Sequence, residues 1–270
     1  MIKFEDMNSD KTAIELVKSN KQLATTVIIF TVLVIAYFFP SNDMKSFLPD
    51  FIAEYRIAWP LLTLTIAGAF LVAWPVAVAM LFSFAGDFMG AYGSFIGQMI
   101  CFAIAHGMFI YYFSTRFKSE SKVNASNMKI VSRETADKFN ELRLKRIVTF
   151  CVSASVTLIF ISVAISFILP DVPAGVLRIG CGVYSGLISI MVGTALLQRD
   201  FVFTLGALLF LFSDMILAWN KFVAPVEYSG ALIMIPYYSG QLLIWLRASV
   251  DNARRNGAIV NQSPEKAGQA

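Results

Sequence analysis

Eight apolar runs, most of them about as long as a bilayer is thick, constrain this chain more than any other feature. They lie at about residues 23–40, 57–72, 74–90, 93–113, 147–169, 175–197, 201–220 and 228–247. A helix needs about 20 mostly apolar residues to cross a hydrocarbon core of about 30 Å. Backbone groups in lipid must be paired within the segment, so runs of this kind fold as helices. The least obvious boundary is "AFLVAWPVAV", which reads as one long kinked helix or as two. Pro75 suits a first helical turn, and an unbroken helix there would exceed the membrane about twofold, so two helices are expected. The fold class is all-α and multi-pass.

Charge supplies an independent check. Of the 22 Lys and Arg, 18 lie in the N-terminal segment, the 113–147 region, the 198–200 turn and the C-terminal tail. The other side holds Lys45, Arg56, Arg178 and Lys221. Positive residues concentrate on the cytoplasmic face, so eight helices with both termini cytoplasmic fit the split, and an odd count would not. The expected organisation is a cytoplasmic N-terminal segment (1–22), a membrane domain (23–247) with a cytoplasmic loop (114–146), and a cytoplasmic tail (248–270). In a bacterium this places the chain in the inner membrane. The loop reads as a solvated linker near anionic headgroups, part of 132–146 being helical, and 10–21 as a short interfacial helix. The N-terminus mixes acids and lysines and is no secretory signal. Nothing points to nucleic acid.

Polar groups inside the runs are the candidates for chemistry, because an acid at the centre of a bilayer costs about 2.5–3.5 kcal/mol. "MLFSFAGDFMG" carries Asp87 and "LLFLFSDMILA" carries Asp214. Each acid lies 13 residues into its helix, counted from Trp74 and Phe201. At about 1.5 Å per residue both stand about 20 Å from the cytoplasmic end, at one level. A tyrosine pair follows each, Tyr111-Tyr112 and Tyr237-Tyr238, so the chain reads as two parallel four-helix repeats. His106 is the only histidine, and Tyr237 and Gln241 are one turn apart on one face. Lys221 follows Asp214 by two turns, with Asn220 beside it. Gly86, Gly90, Gly93 and Gly97 allow close helix approach. Each has a plainer use: buried acids held by donors, interfacial aromatics, a snorkelling lysine.

"FSFAGDFMG", the histidine of "AIAHGMFIYYF", "GALLFLFSDMILAWNKF" and "IPYYSGQLLIWL" together resemble the lysoplasmalogenase family, the YhhN-like membrane proteins. The resemblance covers about residues 55–247. It implies hydrolysis of the vinyl ether bond of a lysoplasmalogen, a single-chain alkenyl phospholipid, to a fatty aldehyde and glycerophosphoethanolamine or glycerophosphocholine. It implies Asp87 and Asp214 as the catalytic pair, with His106, Tyr237, Tyr238 and Gln241 around them. Trp59 stands where the family pattern has a lysine, so no headgroup role is carried over to it. The N-terminal segment and the basic loop take no part in the match.

The chemistry suits two carboxyls. A vinyl ether hydrolyses when its carbon is protonated and water captures the resulting oxocarbenium ion, so one group must be acid and another must stabilise cation or activate water. Two carboxyls whose proton affinities are pushed apart do both. By analogy Asp214, with Lys221 near it, is the ionised partner. Asn220 and Lys221 at the outer rim would meet the phosphate. Cys101, Cys151 and Cys181 fall inside apolar runs without metal-ligand spacing, and no cofactor or metal is expected. A G-x-S-x-G elbow is absent, which argues against ester hydrolysis. The rival from another class is a lysophospholipid or proton-coupled transporter, using the same aspartates as a proton relay and Pro60, Pro75 and Pro236 as helix breaks. A scaffold bundle with dispensable acids is the third reading.

Overall fold

The computed structural model describes residues 21–39, 49–128 and 135–267. The expected interfacial helix at 10–21 lies almost wholly outside them. Every regular element among the described residues is helical. In chain order these are α1 (Lys21–Tyr37), α2 (Asp50–Glu54), α3 (Trp59–Leu71), α4 (Trp74–Ala91), α5 (Phe95–Met128), α6 (Thr135–Val163), α7 (Val176–Leu197), α8 (Phe201–Phe222) and α9 (Ser229–Ala267). Five described segments are long and apolar enough to cross a membrane: Trp74–Ala91, Phe95–Phe117, Ile147–Asp171, Val176–Leu197 and Phe201–Phe222. The apolar helices α1 and α3 are shorter, at 17 and 13 residues. Large apolar side chains such as Phe70 and Val176 are 80% exposed, the pattern of a surface facing lipid rather than water.

Local chemistry explains the breaks. Helix α3 stops at Leu71, Val72 and Ala73 are extended, and α4 starts at Trp74 with Pro75 in its first turn. Proline there loses no hydrogen bond that the helix would otherwise make. Gly93 turns the chain between α4 and α5 at φ +86°, a conformation that side chains with a Cβ resist. Within the hydrophilic 114–146 segment α5 runs on to Met128, further than its apolar run, and α6 begins at Thr135, in keeping with the helix expected in part of 132–146. No Gly or Pro lies between Met108 and Arg146, so nothing in the sequence stops either helix. Helix α9 likewise continues beyond residue 247 into the tail. At the far end of α6 the backbone loosens into a π turn, Ala164–Ile168, and a 3-10 turn, Leu169–Asp171. Pro170 removes a backbone donor there.

The chain divides into two compact units. The first comprises residues up to Ala105 with those from Gln241 onward, and the second is His106–Gly240. In the first, α3 packs on both α1 and α4. The Trp245 indole donates to the Leu64 carbonyl at 3.1 Å, and the Asn252 amide donates to the Leu71 carbonyl at 3.3 Å, satisfying an acceptor at the open end of α3. In the second, α7 packs on α6 and α8. Ser153 donates to the Gly193 carbonyl at 2.6 Å. Arg116 donates to Gln198 at 3.1 Å, lies over the Phe203 ring and stands 4.0 Å from Asp200. Asp200 itself caps α8 by accepting from the backbone N–H groups of Val202 and Phe203. These contacts fix the level at which α8 begins, and so the depth of Asp214.

Candidate active site

In the second unit three helices bring one titratable group each to a common point. Asp214 lies on α8, its side chain 11% exposed. Its Oδ2 accepts from the hydroxyl of Tyr184 on α7. The Tyr184 oxygen is also 3.0 Å from Nε2 of His106 on α5. That nitrogen is 3.6 Å from Asp214 Oδ2, so the tyrosine bridges the two. His106 has no exposed surface, and its Nδ1 faces the Met191 thioether at 3.3 Å. Tyr184 and Met191 are seven residues apart, so one face of α7 presents both. The Phe210 ring, one turn before Asp214, meets the imidazole edge to face at 4.7 Å. Tyr237 and Tyr238 are buried on α9, and Tyr237 packs perpendicular to Phe210 at 5.3 Å. Ser213 is buried beside Asp214, and its hydroxyl has no hydrogen-bond partner among the described residues.

The first unit holds Asp87, 2% exposed on α4. One turn before it, the Ser83 hydroxyl accepts from the Gln241 amide at 2.9 Å. Gln241 is fully buried, and its carbonyl oxygen has no hydrogen-bond partner among the described residues. Arg56 donates to the carbonyls of Tyr37 and Ala53 at 3.2 and 3.3 Å and lies 5.6 Å from the Tyr37 ring centre. The Tyr37 hydroxyl stands within electrostatic reach of both Arg56 and Asp87. Phe88, next to Asp87, stacks on Tyr55 at 4.3 Å.

The residues singled out in the sequence therefore separate by use. His106 and Asp214 come together, as do Tyr237 and Phe210. Gln241 reaches Ser83, on the same helix face as Asp87. The Asn220 side-chain oxygen accepts from the Val226 N–H at 2.8 Å and closes the turn after α8. Lys221 is exposed in the last turn of α8, two turns on from Asp214, and the basic group that the structure sets against this carboxylate is His106. Tyr184, Met191, Tyr37 and Arg56 were not singled out. Tyr184 sits in "CGVYSGLISIM", a stretch of small and apolar residues that reads as packing. The usable signal was a phenol in mid-membrane on the same face as a thioether. Among the described residues no three of His, Cys, Asp and Glu gather as metal ligands would. What the site offers a substrate is carboxyl, phenol and imidazole chemistry within an apolar bundle.

A sequence model of the YhhN family matches residues 55–248, more than half of the chain. The protein named Lysoplasmalogenase TMEM86A of Bos taurus is 39% identical over 93 residues, 31% of this chain and 38% of its own length. Its Homo sapiens counterpart is 44% identical over 77 residues, 25% of this chain and 32% of its own. Lysoplasmalogenase TMEM86B of Sus scrofa is 50% identical over 44 residues, 16% and 20% of the two chains. The matches thus span less than two-fifths of these relatives. No solved structure matches the chain.

Proposed function

The chain belongs to the YhhN family, and from that premise we propose that it is a membrane hydrolase cleaving the vinyl ether bond of lysoplasmalogens. The names of its relatives support the substrate class. The observation that carries the reading to this chain is the Asp214–Tyr184–His106 cluster, a buried set of groups suited to holding and passing a proton. Acid cleavage of a vinyl ether needs just such a group.

The finer reading divides the proton transfers between the two aspartates. Asp87, 2% exposed on α4, is the acid in this reading. It gives its proton to the vinyl carbon and leaves an oxocarbenium ion. Asp214, set against His106, is the carboxylate that stabilises this cation and takes a proton from the attacking water. The hemiacetal then loses its hydroxyl proton to Asp87 while the departing glycerol oxygen takes one from Asp214. Both groups return to their starting states, and one water is consumed per aldehyde and alcohol formed. Tyr237, Tyr238 and Gln241 line the lipid's path in this reading, and Lys221 at the outer rim meets the phosphate.

The test is aldehyde release from an alkenyl lysophospholipid by purified protein in detergent. Stoichiometric aldehyde and glycerophospho-alcohol are expected. Binding of the lipid with only intact lipid recovered would overturn the reading and favour a carrier. Against the carrier, Pro60 and Pro75 both lie in first turns, where they break nothing. The same reading places all eight apolar helices across the membrane in two parallel repeats with both termini cytoplasmic. Tags at the two ends should be protected together in sealed right-side-out vesicles, and protection of only one would refute that topology.

A further inference from the structure

Hydrogen counting around His106 yields more than a pairing of charges. A thioether sulfur can only accept, so the Nδ1 facing Met191 at 3.3 Å carries a hydrogen. That leaves Nε2, the Tyr184 oxygen and Asp214 Oδ2 in a row, with the tyrosine between the other two. With two hydrogens in this row every contact is satisfied in either of two arrangements. In one, imidazolium Nε2–H donates to the tyrosine oxygen and the tyrosine O–H donates to a carboxylate. In the other, a carboxylic acid O–H donates to the tyrosine oxygen and the tyrosine O–H donates to a neutral Nε2. They interconvert when one hydrogen moves from Nε2 to the phenol oxygen and the phenol hydrogen moves to Oδ2. No proton leaves the cluster and its total charge is unchanged. With a single hydrogen, by contrast, one of the two contacts would set lone pair against lone pair. The direct gap from Nε2 to Oδ2, 3.6 Å, is too long for an N–H···O bond, so the phenol is the path.

We propose that Tyr184 is a proton relay between Asp214 and His106, and that Met191 sets the tautomer that makes the relay work. This rests on the reading above, which needs Asp214 as a carboxylate when water attacks: the first arrangement supplies it, the relay having moved the row's hydrogen onto Nε2. Tyr184 is then a positioning residue: it sets the protonation of the group that meets substrate. Burial is what makes the device useful, since creating or removing an unpaired charge in an apolar interior is costly, whereas a shift within a hydrogen-bonded row is not. Ionisable groups acting on the phenol are Asp214 from α8, His106 from α5 and, one turn earlier on α7, Cys181. The imidazole is walled off by Phe210 and Met191, so its proton exchanges through the tyrosine.

The chain has a single histidine, so histidine labelled with nitrogen-15 reports one imidazole without assignment. In native protein Nδ1 should give the signal of a hydrogen-bearing nitrogen, and Nε2 that of a protonated or averaged one. In Tyr184→Phe, Nε2 should become a lone-pair nitrogen while Nδ1 is unchanged. Met191→Leu, which keeps the tyrosine, should let the opposite tautomer appear. With alkenyl lysophospholipid as substrate, Tyr184→Phe should lower kcat about a hundred- to ten-thousand-fold, the range of acid–base contributions, and change KM less than about threefold. A lone-pair Nδ1 in native protein, or an imidazole spectrum indifferent to loss of the phenol, would overturn the relay. So would native kcat in Tyr184→Phe. If native protein released no aldehyde, the hydrolase reading would fail on its own, and the nitrogen spectra would still decide the relay.

Discussion

At the scale of single residues, the burden falls on a few polar groups inside apolar helices. Ser213 tests how strictly that accounting holds. Among the described residues its buried hydroxyl has no hydrogen-bond partner, a state that costs about 1–3 kcal/mol. Ser213→Ala should therefore leave the melting temperature unchanged or raise it, and a fall of several degrees would show a partner that the structure lacks. Asp87, Asp214 and His106 were legible in the sequence because each interrupts an apolar run, where a charge is expensive. Tyr184 was not, because a phenol in a membrane helix is unremarkable until its partner is known. That partner, His106, is 78 residues away in the chain. Asn220 shows a use that the sequence did not reveal: its side-chain oxygen accepts from a backbone N–H in the next turn, a bond that does not involve the amide N–H group a phosphate would meet.

At the scale of elements, helix contacts depend on how closely backbones approach. Gly240 on α9 lies so near α8 that a Cβ there would stand 2.6 Å from the Gly206 carbonyl oxygen. Backbone does not yield as a side-chain tip does, so Gly240→Ala should force the helices apart. A loss of about 1–3 kcal/mol is expected from such overpacking, read as a lower melting temperature. Unchanged stability would mean that this contact is looser than described. Helix boundaries were legible where a breaker stood: Pro75 marked the gap at Val72 and Ala73. They were not where polarity alone was the guide. The 114–146 segment is polar enough for a loop, but without Gly or Pro α5 keeps its helical bonds to Met128, well past the apolar stretch.

At the scale of the whole molecule, apolar runs and an asymmetric distribution of Lys and Arg specified an all-helical membrane protein before any contact was known. Membership of the YhhN family agrees with that. Asp87 lies in the first unit and Asp214 in the second. Nothing in the sequence could say which groups the Asp214 carboxyl meets, since Tyr184 and His106 come from other helices. The central claim is that both carboxyls perform the chemistry. The measurement that tests it most directly is aldehyde release by native protein, Asp87→Asn and Asp214→Asn, each shown to be folded. The account predicts aldehyde from native protein and a loss of at least about a hundredfold in kcat in each variant. Either variant working within a few-fold of native would contradict it.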